Sequence, residues 1–396
     1  MQVVALSWLV YKLTNSPWLL GLTGFMDQIP VFLLAPIGGM VADRYDRHRI
    51  ILFTQGSAMV VALVLAGLTL AERIQVWEIM VIAALFGVVN AFDIPGRQSF
   101  LVEMVGKEDL LNAIALNSSM FNAARVMGPA VAGLLVAAVG EGWCFLLNGV
   151  SYVGVISGLL MMKRTQKPVR DLSQSPIARV AEGFRFVRRT RPILTILMIL
   201  GLVSVVGVPY TVLMPVFADQ ILHRGARGLG ILMGATGVGA VLGALTLAAR
   251  TSVKGLGRLV AIACFGFGAS LICFAASRWF WLSAVLLIPV GYCMMLQLAC
   301  CNTLIQAMVP DELRGRVMAV YSMMFMGMAP LGSLFAGALG HTLGAPWTVA
   351  IGGILCLGGG AVYSFQLPKV TQEARELILA QGMYGGEPAS MPPRDF

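Results

Sequence analysis

The chain has 396 residues, of which 58% are hydrophobic and only 12% are charged, about half the charged fraction of a soluble domain. Stretches of ~20 apolar residues, the length that crosses a bilayer as a helix, recur along the whole chain. This excludes a soluble globular class and gives an all-α integral membrane protein, whose formal charge of +9 reads as basic loops on one membrane face, not as a nucleic-acid surface.

In chain order, apolar periodicity and turn residues predict membrane helices over 1–14, 18–41, 50–70, 76–98, 112–138 and 143–162. After the longest loop they continue over 192–218, 228–250, 258–277, 279–305, 316–340 and 346–367, twelve in all. The first, "MQVVALSWLVYKLT", is ~20 Å of helix against a ~30 Å hydrocarbon core, so helix 1 is expected to be N-terminally truncated. The predicted organisation is a six-helix bundle over 1–162, a linker over 163–191, a second six-helix bundle over 192–367, and a tail over 368–396 with a short helical pattern from Thr371 to Ala380 before a disordered end.

In the linker, Ser175 and Pro176 read as a helix start. Ile177, Val180, Ala181, Phe184 and Val187 then follow helical spacing, as in an amphipathic helix on the inner membrane surface. In helix 8, Gly239 and Gly243 form a small-residue pair expected to cross close to Gly128 and Gly133 of helix 5. The loops 42–49, 97–111, 163–191, 250–258 and 306–316, with the tail, hold 22 of the 28 basic residues. That bias puts them, and both termini, in the cytoplasm.

The halves also resemble one another. "VEMVGKEDLLNAIALNSSMFNAARVMGPAVAG" and "IQAMVPDELRGRVMAVYSMMFMGMAPLGSLFAG" share Met-Val, an acidic turn, an Ala-rich helix start and a deep proline. Repeated halves with a site between them are the layout of a secondary transporter. The seven cysteines form no CxxC, and no HExxH, G-x-S-x-G or GxxxxGK[ST] occurs. No catalytic residues, metal site or cofactor are therefore assigned.

The densest polar stretch is "GGMVADRYDRHRI", Gly38 to Ile50. Membrane anchoring explains its arginines but not Asp43 and Asp46, which offset them. An acid here can pair with a cation or the positive end of a helix, holding one end of the molecule shut. Gly38 and Gly39 would admit a neighbouring helix.

The stretch resembles the G-x-x-x-D-R-x-x-R-[RK] signature between helices 2 and 3 of the major facilitator superfamily, through Gly39, Asp43, Arg44, Arg47 and Arg49. Tyr45-Asp46 and His48 depart from it. "GPAVAG" resembles the helix 5 motif of antiporter members, through Gly128, Pro129 and Gly133. "FDIPGRQSFLVEMV" and "EGWCFLLN" are similar to the bacterial exporter branch that includes the enterobactin exporter and macrolide efflux proteins. The resemblance implies a twelve-helix major facilitator fold of two pseudosymmetric bundles, alternating access, and export driven by proton entry. It also implies a cytoplasmic charge network on Asp43, for which Arg97 is the candidate partner.

Charges within the membrane are costly, so each suggests a function. Asp27 and Arg125 are placed near the midplane, and Asp93 lies two residues before Pro95. Arg125 would attract an anionic group, and Asp27 or Asp93 would take up and release a proton. Trp8, Tyr11, Phe25, Phe325 and the methionines 294, 295, 323, 324 and 326 are candidate cavity lining, since Met-rich surfaces adapt to varied ligands.

The resulting reading is a monomeric proton-coupled exporter of an amphipathic small molecule in the bacterial inner membrane. Its partners are the substrate, protons and membrane lipid, with no nucleic acid. A siderophore exporter, a lysolipid transporter with a lateral opening, and a non-transporting receptor or scaffold are the alternatives.

Overall fold

The computed structural model describes residues 1–105, 110–162, 176–250 and 252–380. The first six membrane helices are α1 (Gln2–Thr14), α2 (Pro17–Arg44), α3 (Arg47–Leu70), α4 (Val76–Val105), α5 (Leu110–Val139) and α6 (Glu141–Met161). A linker helix, α7 (Pro176–Arg189), precedes α8 (Arg191–Ile221), α9 (Gly225–Ala248), α10 (Leu256–Ala276) and α11 (Phe280–Met308). A broken pair, α12 (Asp311–Met326) and α13 (Ala329–Thr342), and then α14 (Ala345–Ala380) complete the chain. Among the described residues ten helical spans are long and apolar enough to cross a membrane, α12 and α13 forming one of them. With the short α1 and with α5 the bundle has twelve membrane helices.

The ends of these helices follow from local chemistry. Asn15 takes the left-handed conformation (φ 49°) that closes α1, and Ser16 accepts a bond from the Leu19 amide before Pro17 starts α2. Asp46 accepts from the amides of His48 and Arg49 at 3.0 and 3.3 Å. It thereby caps α3, a contribution of about 1 kcal/mol. This gives a structural reason for the acid at Asp46, one of the positions where the stretch departs from the signature it resembles.

Helix pairing repeats between the halves. In the first half α2 packs on α4, α3 on α6 and α3 on α4; in the second, α9 packs on α11, α10 on α14 and α10 on α11. The device is also shared. Gly38 and Gly87 let α2 and α4 touch at the backbone of Ala91 and Asp27, as Gly239 and Gly291 do for α9 and α11 at Ile288 and Thr236.

The halves meet through α2 against α13 and α5 against α9. Gly21 faces Ser333 and Gly337, and Gly133 faces Gly230 and Ala226. These contacts lie toward the end of the bundle remote from the 42–49 turn, which we call the basic end.

Several expectations are corrected. Gly239 and Gly243 pack on Ile288 and Tyr292 of α11, not on α5. At 100° per residue Gly239 points about opposite to Gly230, so it is Gly230 and Gly234 that face α5. Helix α14 does not end at the membrane but runs through Pro368 to Ala380. Its continuation is held by burial of Val370, Ala374 and Ile378, which outweighs the hydrogen bond that Pro368 removes. The described part of α7 docks on α12 and α8. Val187 is buried and Phe184 is 38% exposed; Ser175 and the side chains of Ile177 and Val180, on which the expected amphipathic stripe also rests, lie outside the described residues.

Helix α8 is irregular where its prolines fall. It is α-helical to Leu202, π-helical over Val203–Gly207 and 3₁₀ over Val208–Leu213. Pro209 cannot bond the Val205 carbonyl, and that carbonyl faces Gly332 of α13. Ser204 donates to the Phe325 carbonyl at 2.5 Å, just before α12 and α13 part. The breaks in α8 and between α12 and α13 therefore lie against each other, and Ser204 satisfies a backbone carbonyl at the second break.

Gly239→Val is expected to lower the unfolding free energy by about 1–3 kcal/mol, the usual effect of overpacking. Gly67→Ala, whose methyl would meet nothing within 4 Å, should leave stability unchanged or raise it. Thermal unfolding in detergent micelles compares the two, and equal shifts would contradict the close α9–α11 crossing.

Candidate functional site

Asp93 is 2% exposed and is surrounded by donors. Its Oδ1 accepts from the Thr54 hydroxyl at 2.9 Å and the Gln55 amide at 2.8 Å. Its Oδ2 lies 2.6 Å from Nη2 of Arg97, one turn along α4. Thr54 and Gln55 are buried, whereas the Arg97 side chain is 60% exposed. A carboxylate taken from water is tolerable when its lone pairs are filled and a cation stands beside it. Here both conditions hold, and the cluster ties α3 to α4 near the basic end. The sequence signal that could have found it is "TQ" inside the otherwise apolar "ILFTQGSAMVVALVLAGL".

Asp27 is different. It lies in α2, where Gly87 of α4 lets its backbone carbonyl approach. The residue is partly buried. Among the described residues its carboxylate has no hydrogen-bond partner. The side chains of Arg125 and Asp43 lie outside the described residues, so neither the expected Asp27–Arg125 pocket nor the Asp43–Arg97 pair is described here. Arg97 is engaged by Asp93.

The remaining signature residues sort by contact. Gly38 is the close-approach position, and Gly39 has nothing within 4 Å of where a Cβ would stand. Arg44 is exposed. Arg47 donates to the Ala42 carbonyl at 3.2 Å, and Arg49 stands 3.7 Å from Asp46. His48 bonds the Leu159 carbonyl at 2.7 Å, fixing the start of α3 to the end of α6. In the helix 5 motif, a Cβ added at Gly128 would stand 3.8 Å from the Met1 nitrogen, Pro129 follows within α5, and Gly133 makes the crossing to α9.

Two polar links at the opposite end were not anticipated. Tyr11, expected in the cavity lining, is 1% exposed and donates to Asp219 of α8 at 3.2 Å, joining the first half to the second. Lys12 pairs with Glu141 at 3.0 Å, the glutamate being 8% exposed, and so joins α1 to α6. Each partner is ordinary at its own position, and only the fold brings them together.

Arg97→Met leaves the Asp93 carboxylate with two neutral donors. Because Arg97 is well exposed, the expected loss is about 1–3 kcal/mol, with part of it recovered when Asp93→Asn is added. A double-mutant cycle on thermal unfolding measures the coupling, and a value below about 0.5 kcal/mol would show the pair to be energetically idle.

The chain matches a family model described as transmembrane secretion effector over residues 1–382. Similar curated proteins include a staphyloferrin A transporter of Staphylococcus aureus (strain NCTC 8325 / PS 47), 27% identical over 89% of this chain and 88% of that one. The enterobactin exporter EntS of Escherichia coli O1:K1 / APEC is 24% identical over 84% of this chain and 79% of that one. Among solved structures the nucleoside transporter NupG superposes with a TM-score of 0.68 at 13% identity, over 94% of this chain and 96% of that one. A bacterial homologue of the lysosomal transporter Spinster, in an inward-facing unoccupied conformation, gives 0.61 at 14% identity over 98% of both chains. An all-helical bundle with this pairing, matched over nearly its whole length, belongs to the transmembrane secretion effector family of major facilitator secondary transporters.

Proposed function

We propose that this protein exports a siderophore-class molecule across the bacterial cytoplasmic membrane by alternating access, with proton entry as the driving reaction. The observation that carries the substrate class is the likeness, over more than four-fifths of the chain, to two differently named proteins that both handle siderophores. The methionines that suggested a greasy drug cavity give no support to the wider reading. Met294 is buried in helix packing while Met326 is 48% exposed, so these two share no common surface.

In this proposal the basic end and both termini face the cytoplasm. The described contacts between the halves gather at the far end, at Tyr11–Asp219, Gly21–Gly337 and Gly133–Gly230. That is the arrangement of a transporter closed to the outside and ready to load from within. Asp27 is the preferred proton carrier. Its protonation breaks no hydrogen bond among the described residues, whereas neutralising Asp93 would strand Arg97 and disturb Thr54 and Gln55. Asp93 then serves as a structural tie at the cytoplasmic gate.

The test is uptake of labelled apo-enterobactin and staphyloferrin A into inverted membrane vesicles. The expected result is saturable uptake of at least one of them that collapses when the proton gradient is dissipated. Asp27→Asn should fall to the rate of vesicles lacking the protein, and Asp27→Glu should retain part of the activity. Uptake of lipophilic dyes without either siderophore would overturn the substrate class. Gradient-driven uptake by Asp27→Asn at the native rate would overturn the proton role.

A further inference from the structure

The 42–49 turn joins α2 and α3 at the basic end, but the two helices then part. Each packs on α4 more than on the other. The space between them is a cavity of about 500 Å³. Val41 of α2, Tyr45 of the turn, Phe53 of α3, and Val89 and Phe92 of α4 form its walls, and Asp46 and Arg49 stand at one end.

The cavity opens sideways. Phe53 is 77% exposed and Val60, further along the same helix, is 55% exposed. On a helix long and apolar enough to span a membrane, exposure of that kind is to acyl chains. From Arg49 to Ser57, both of which line the cavity, α3 rises ~12 Å. The groove therefore runs from the membrane surface into the hydrocarbon, parallel to the lipid chains outside it.

Its two ends differ in chemistry. At the surface end Arg44 and Arg49 are exposed; Asp46, which also lines this end, caps α3 and stands 3.7 Å from Arg49, whose side chain is still 71% exposed. Toward the hydrocarbon, Thr54 lines the groove with its hydroxyl given to Asp93. The walls between are apolar. A polar solute would find no partners along them, and the groove lies within the first half, away from the contacts between the halves.

We propose that this groove binds one anionic phospholipid, its head group on Arg44 and Arg49 and one acyl chain between α2 and α3 against Phe53, Val89 and Phe92. The slot admits an acyl chain of either lipid, and the exposed arginines favour an anionic head group over a zwitterionic one. The bound chain wedges α2 from α3 next to Thr54, one hydroxyl away from the Asp93–Arg97 pair. Lipid composition thereby reaches the gate region.

The experiment places p-benzoylphenylalanine at Phe53 of the full chain, or at Val60 as control, in nanodiscs of equimolar phosphatidylglycerol and phosphatidylcholine. Lipid adducts are then identified by mass spectrometry. Adducts at position 53 should favour phosphatidylglycerol about fivefold, the factor corresponding to ~1 kcal/mol for one basic residue at an anionic surface. Adducts at position 60 should follow the bulk composition. Arg49→Gln should bring position 53 toward the bulk ratio, and Ser57→Phe, which fills the slot, should reduce adducts at 53 while leaving those at 60 unchanged. Position 60 thus also reports that each variant is folded in the bilayer. Bulk ratios at position 53, or an enrichment indifferent to Arg49→Gln, would show ordinary boundary lipid and overturn the proposal.

Discussion

A charge inside a membrane protein must be answered within the protein, because the surrounding hydrocarbon offers no donors. Asp93 is the clearest instance. Its position is dictated by three donors drawn from two helices, and Pro95 lies between it and Arg97 in sequence. Once the carboxylate is fixed, α3 and α4 are held as one unit beside the 42–49 turn. The arginines of that turn are in turn held by Asp46 and by the Ala42 carbonyl. The polar stretch that stands out in the sequence is the surface portion of an arrangement whose buried anchor is Asp93.

The two kinds of helix contact have different chemistry. Within each half, glycines bring backbones together at the carbonyls of Ala91, Asp27, Ile288 and Thr236. Such close crossings gain dispersion over long stretches and resist being pulled apart. Between the halves, glycine meets glycine at Gly133–Gly230 and Gly21–Gly337, and the described side-chain bond is Tyr11–Asp219. Small smooth surfaces with one polar link can part without leaving large side chains stranded. Rigid halves and a separable seam are what rocking about a central site requires.

Much of this was legible in the chain, and the reasons differ by feature. Helix number and most boundaries follow from apolar runs punctuated by Asn15, Ser16-Pro17, Asp46 and Gly140, which act locally. Pro368 misled because its local effect is outweighed by burial of Val370, Ala374 and Ile378 on neighbouring helices. The pair Gly239 and Gly243 was rightly read as a close crossing, but its partner depends on which way α9 is turned, and spacing alone does not fix that rotation. Asp93 was recognised as a buried charge, whereas Thr54 and Gln55 were not recognised as its donors. Tyr11 and Asp219 are 208 residues apart, and nothing in either neighbourhood marks the other.

The contrast between Asp27 and Asp93 bears on how one half could respond to a proton without losing its shape. A carboxylate with three partners gives its helices a fixed relation, and changing its charge would release that relation altogether. A carboxylate whose contact with the next helix, among the described residues, runs through its backbone beside Gly87 can change charge while the helix crossing stays. On the proposed reading, separating the two duties lets Asp27 change charge while the α3–α4 unit, tied by Asp93, keeps its arrangement.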